Sequence, residues 1–300
     1  MRAFSTLACL LFSFGSVLAA EQQHLIVCGG AEVYRIDPTA AAGAGEGATK
    51  KVWSWRAKDC EGLPEKLKTA FATTDDCKPI DGGTRLLVSA SSGGCALLEI
   101  PSGKALWWAR VPNAHTIESL PGGLIAVASS TGKDGNKLLI FDSKTPETPL
   151  AAIELPSAHG LVWDDSRKTL WAMGYEELLA CGIEPSVPAS LEVKARYPLP
   201  DKDGHDLRPV PGGADLILGT DSHVWRFDRD KKEFRPDPDL GDHKLVKCTE
   251  PVTPGRLMFI QASEKQWWTD ELHFLEPESK LQLKGEMIYK ARRIEVREVP

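Results

Sequence analysis

Three histidines stand at nearly equal intervals in this chain: His115, His159 and His205, separated by 44 and 46 residues. Each follows a short turn-forming run (Pro112-Asn113-Ala114, Pro156-Ser157-Ala158, Asp203-Gly204) and opens a segment that reads as a β-strand. Three imidazoles brought together can hold a borderline divalent cation such as Zn²⁺ or Mn²⁺ through their ring nitrogens, leaving a position for water or substrate. Without a metal the same groups can trade protons, with His or Lys as base and a neighbouring cation stabilising an enolate-like charge. Corresponding places elsewhere in the chain offer Asp75, Asp76 and Lys78, and later His243, Lys244 and Lys247. The candidate catalytic set is therefore His115, His159, His205, Asp76, Lys78 and Lys247. An architectural role, in which polar side chains at matched positions only tie backbone between repeats, is the alternative for the same residues.

For the imidazoles to meet, the chain must return to one place at that interval, and its strand pattern does so. A phrase recurs six times: EVYRID (32–37), CALLEI (95–100), KLLIFD (137–142), ELLACG (177–182), HVWRFD (223–228) and ELHFLE (271–276). Each copy follows another apolar run, such as LIVCGG (25–30) or LIAVAS (124–129), so the pairs read as hairpins. Turns rich in Pro, Ser, Gly or Lys lead on to a third strand, for instance LWWARV (106–111), and a further segment such as HTIESLPGG (115–123) precedes several pairs. Four strands per unit, with the last five copies ending at 100, 142, 182, 228 and 276, match the ~40–50 residues of a four-stranded propeller blade. A parallel sheet would need helical crossovers, and only 59–72 could supply one. The expected fold is all-β, a six-bladed β-propeller over residues 21–300. Its ring is closed by the C-terminal run YKARRIEVREV (289–299), because closure removes an open sheet edge. The first strand of each blade is innermost, so a residue opening it faces the axis.

The remaining features set the context. Residues 1–20 read as a signal peptide, with Arg2, an apolar stretch from Leu7 to Phe14 and a small-residue site at Val17-Leu18-Ala19-Ala20. A secreted or periplasmic monomer is expected, with no transmembrane segment after residue 21. Against 36 Lys and Arg stand 42 Asp and Glu, a net charge of −6 that offers no positive field to nucleic acid. Six cysteines follow the leader, and Cys60 with Cys77 is the best candidate disulfide because the two bracket 59–72. His24, His223 and His273 sit away from the blade starts and read as structural.

Tryptophans come in pairs: Trp53 with Trp55, Trp107 with Trp108, and Trp267 with Trp268. The first two pairs lie in strands and are expected to fill space between blades. Trp267 and Trp268 lie in a hairpin loop, where an indole face can stack on a sugar ring.

Taken together, LIVCGGAEVYRID, VWSWRAK, DDCKPIDGG, the PNAH, SAHG and GHDL series and QWWTD resemble a group of exported bacterial propeller proteins of uncharacterised function. More distantly, the axial histidines are similar to those of oligogalacturonate lyase, a propeller enzyme whose metal is held by histidines and a glutamine. That likeness implies Gln261 as the glutamine, although its ligands do not follow a one-per-blade pattern. The expected function is an exported, metal-dependent lyase or hydrolase of a uronate-type glycan. The alternative is a non-catalytic propeller that binds a glycan or a protein partner.

Overall fold

The computed structural model describes residues 23–38, 50–184, 190–253 and 256–295. The signal-peptide reading of 1–20 lies outside them. Among the described residues, 24 strands form six antiparallel sheets of four strands each. The innermost strands run Ile288–Glu295 (blade 1), Thr74–Ile80, Ala114–Leu120, Gly160–Asp164, Asp206–Pro209 and Val246–Thr253 (blade 6). Each touches its neighbour in turn, so the six close into a ring. Closure is made as the strand pattern predicts: Ile288–Glu295 pairs antiparallel with Gln23–Gly29, and the two chain ends share blade 1. No helix among the described residues is long and apolar enough to cross a membrane.

Successive side chains of a strand point to opposite faces, and in a propeller both faces of a blade meet another blade. That is why the strands read as unbroken apolar runs. Leu25 and Val27 pack towards blade 6, whereas Ile26 and Cys28 pack towards blade 2. Six such clusters form, one between each neighbouring pair of blades. Trp55 and Trp107 are buried in two of them, with Trp53 and Trp108 packed alongside.

The segment 59–72, which reads as a helix or a long loop, is the loop, and one expectation, the Cys60–Cys77 disulfide, is corrected by packing. The loop carries two short 3₁₀ turns, Ala57–Asp59 and Glu65–Leu67, and lays Leu63, Leu67, Ala70 and Phe71 into the core between blades 1 and 2. Cys60 and Cys77 do not pair. The Cys60 thiol donates to the Gly103 carbonyl at 3.2 Å, whereas the Cys77 thiol donates to the Ile26 carbonyl at 3.6 Å. All six described cysteines are free and buried. The loop between Cys60 and Cys77 crosses from one blade to the next, so closeness in sequence does not bring the two sulfurs together.

Candidate functional site

At one end of the axis, each inner strand opens with a β-bulge. The register slips past Asp75, His115, Lys247 and Tyr289 in blades 2, 3, 6 and 1. In blades 4 and 5 the His159 and His205 amides donate to Met173 O and Gly219 O, whose residues already pair with Gly160 and Asp206. A bulge re-aims the extra side chain. Here the six extra residues, Asp75, His115, His159, His205, Lys247 and Tyr289, occupy equivalent positions round one mouth. Four blades approach it through a left-handed residue two places earlier, Asn113, Ser157, Asp203 and Leu245, with φ between 46° and 61°.

The imidazoles are in contact. Ring centroids of His115 and His159 lie 4.1 Å apart, and those of His159 and His205 5.4 Å apart. His159 Nδ1 donates to its own loop at Ser157 O (2.8 Å), which leaves the Nε2 lone pair uncommitted. Burial, reinforced by the imidazoles on either side, holds His159 well below the ordinary histidine range, so it is neutral at pH 7. His115 Nδ1 lies 2.9 Å from Asp75 Oδ1, a close carboxylate–imidazole contact without hydrogen-bond alignment.

His205 has a different environment. Its Nε2 meets Lys247 Nζ at 2.5 Å, Asp221 Oδ1 at 3.0 Å and Asp203 Oδ2 at 3.4 Å, while its buried Nδ1 has no hydrogen-bond partner. Burial lowers both His205 and Lys247, and the hydrogen bond to His205 draws Asp221 down. Asp203, His205 and Asp221 form the one group of three potential ligands among the described residues whose ligand atoms all lie within 4.8 Å of one another. The metal set read from the sequence was His115, His159 and His205. The structure retains only His205 in its convergent group and completes that group with two aspartates from turns.

Tyr289 closes the ring of residues. Its centroid is 6.2 Å from His115 and 5.3 Å from Trp267, and burial keeps its phenol protonated far above the usual range. Trp267 is 42% exposed, and its loop is pinned by reciprocal backbone bonds between Thr269 and Ile288, next to Tyr289. Trp267 therefore borders the mouth. Trp268 is half-buried beside it, and Gln261 lies one strand out, its amide donating to Lys244 O at 2.8 Å.

Asp76 and Lys78 lie below the mouth, in a layer that fills the axis. Arg292 donates to Asp76 Oδ1 (3.0 Å) and to both oxygens of Asp206 (3.0 and 2.7 Å), and Lys290 stands 3.3 Å from Asp206. Lys78 reaches across to Glu118 (2.8 Å) and to Leu161 O (2.7 Å). Although burial opposes it, Arg292 and then Lys290 hold Asp76 and Asp206 far below the carboxylate range. The formal charges of Asp76, Asp206 and Glu118 balance those of Lys78, Lys290 and Arg292. The axis beneath the mouth is therefore filled by an ionic plug.

Sequence reasoning missed Tyr289, Lys290, Arg292, Asp206 and Asp221. The first four were accessible by aligning the closing strand and the histidine strands: Tyr289-Lys290 and His205-Asp206 stand where Asp75-Asp76 does. Asp221 sits on a hairpin turn and carries no such signal.

A six-bladed propeller with a plugged axis and a polar mouth is thus the class of protein that fold and site define. The chain belongs to the family of unknown function DUF6528, whose model matches residues 40–297. In structure it is similar to a protein of unknown function from Bacteroides caccae, at 16% identity and a TM-score of 0.60, over 92% of this chain and 100% of that one. This likeness shows the fold alone. No curated protein matches in sequence.

Proposed function

We propose that the axial mouth binds and processes a uronate-type glycan with the help of a divalent cation. One observation carries this reading: the mouth gathers three imidazoles and an excess of carboxylate. Asp75 lies against His115 and Asp203 against His205, while Asp221 meets both His205 and Lys247. Counted against that one ammonium, the three carboxylates leave a formal excess of two negative charges at the mouth, which a divalent ion neutralises. Asp203, His205 and Asp221 would hold that ion, of the Zn²⁺ or Mn²⁺ kind, with Lys247 displaced from His205 Nε2, and the ion would supply the positive charge that draws in a sugar carboxylate.

His159, neutral and with Nε2 uncommitted, is the base. In a lyase it takes the proton from the carbon beside the carboxylate. That electron pair forms a C=C bond as the neighbouring glycosidic C–O bond breaks, its electrons leaving on the departing sugar's oxygen, which takes up a proton from water. In a hydrolase it takes the proton from water instead, the water oxygen bonding to the anomeric carbon as the bond to the departing sugar's oxygen breaks and that oxygen is protonated. His115, with Asp75 2.9 Å from its Nδ1, stands beside it as a second base. An exported chain, as residues 1–20 imply, would meet such glycans outside the cytoplasm.

The exposed Trp267 on the rim favours one second reading, a propeller that binds the glycan without turning it over. Purified protein tests both. Metal content is measured, Zn²⁺ and Mn²⁺ are titrated, and polygalacturonate and alginate are assayed for binding and for unsaturated or reducing-end products. Turnover lost in His159→Gln and in Asp221→Asn, with folding intact, is the expected result. Binding without turnover selects the second reading. Failure to bind any metal or polyuronate overturns both.

A further inference from the structure

A second exposed aromatic side chain borders the mouth on another side. Among the described residues only two aromatic side chains are strongly exposed, Trp267 at 42% and Tyr175 at 40%. Both lie on the face that carries the histidines. Tyr175 is stitched between the two loops that lead into His159 and His205: its amide donates to Pro156 O (2.7 Å), and its carbonyl accepts from the Asp203 amide (2.6 Å). A rigid backbone thus ties this ring to the same two turns that aim the imidazoles.

The ring lines a groove of about 450 Å³ together with Pro156, Leu199, Arg196 and Lys202. The carboxylates of Glu176, Glu177 and Asp201 stand beside them. Lys202 Nζ is 5.8 Å from the ring centroid, and Arg196 is held by Glu177 on both carboxylate oxygens at 2.7 and 2.8 Å. The groove belongs to blade 4, whereas Trp267 stands over the junction of blades 6 and 1. A single sugar ring in the mouth cannot touch both platforms from opposite ends of this arc. A chain lying across the face can.

We propose that the ligand of the mouth is an extended oligosaccharide, whose outer residues stack on Tyr175 in the groove and on Trp267 at the other side. This inference rests on the glycan reading above and adds the chain length to it. An aromatic ring with flanking polar groups is the surface that a sugar's apolar face and hydroxyls fit together. Contacts remote from the reacting bond supply binding energy that short substrates forgo.

The test uses size-graded oligogalacturonides, from dimer upwards, with the full-length protein and with Tyr175→Ala and Tyr175→Phe. Affinity is measured by calorimetry. Because Tyr175 is an exposed turn residue, both variants should fold, which circular dichroism checks. We expect affinity to rise with length. Tyr175→Ala should remove about tenfold of the gain for long oligomers while leaving the dimer unchanged, and Tyr175→Phe should keep it. Length-independent binding, or equal binding of long oligomers by Tyr175→Ala and the parent, overturns this inference and leaves the mouth reading standing. No binding at any length overturns both.

Discussion

Replacing Arg292 by methionine removes the cation at the centre of the axial plug and leaves its partners buried. The Arg292 side chain is fully buried, with Asp76 and Asp206 within 3.0 Å and Glu250 at 3.7 Å. Removing one partner of such a network strands the other charges, at a cost of about 3–5 kcal/mol. Lys290, 3.3 Å from Asp206, remains and should keep the loss near the lower figure. At the usual entropy of unfolding per residue, a chain of this size loses about 2 °C of melting temperature per kcal/mol, so a fall of about 6 °C is expected at pH 7.

The pH dependence sharpens the test. Asp76 and Asp206 are held below their unfolded values, so the stability they contribute is complete above about pH 4 and is lost as pH falls further. Without Arg292 the two carboxylates gain by accepting protons. The gap between parent and variant should therefore narrow as pH falls from 7 towards 4. Scanning calorimetry at several pH values measures this, and Arg292→Met with Asp206→Asn should recover part of the loss. A melting temperature within 1 °C of the parent would refute the reasoning, as would a gap that widens on acidification; both margins are on the order of calorimetric error.

Three further outcomes follow from the packing. The His159 imidazole should stay neutral as the pH of the folded protein is lowered through about 6.5; because its folded value is depressed, the stability it contributes is complete above that pH and declines below it. Resonances of the His159 ring followed by NMR check this, and titration at the ordinary value would contradict its burial. Gly94→Ala should destabilise by about 1–3 kcal/mol, because the added Cβ would lie 2.5 Å from Phe71 Cε2 and 2.6 Å from Ala70 O; a neutral urea midpoint would count against the loop packing. Peptide mapping without reductant should find no Cys60–Cys77 cross-link, since the two thiols face Gly103 O and Ile26 O in different surroundings.

The plug also bears on how the ring closes. Apolar clusters between blades are alike all round the molecule, so they hold every pair of neighbours together without distinguishing the closing one. Lys290 and Arg292 distinguish it. They reach from the C-terminal strand to carboxylates in blades 2, 5 and 6, so only the correctly seated strand neutralises the axis.

Much of this architecture could be read from the chain because its information is local and repeated. Strand runs such as LIVCGG and RLLVSA carry their own β preference, turns carry their own glycines, and a fixed interval between copies allows few arrangements other than a ring. The same interval placed His115, His159 and His205 round one axis. Which ring nitrogen each histidine turns inward was not legible, because it depends on how each turn folds back on its own ring and on side chains from neighbouring blades. Ser157 O takes the Nδ1 proton of His159, Asp75 from the preceding blade faces His115, and Lys247 and Asp221 meet at His205. Asp76 and Lys78 look like mouth residues in the sequence, yet a bulge gives that place to Asp75 and sends both into the plug. Repetition along the chain determined where the strands go. The charges and cross-blade pairings at the axis were decided only when six strands met, because they join residues about 40 to more than 200 positions apart, whereas the His159 tautomer is set by its own turn.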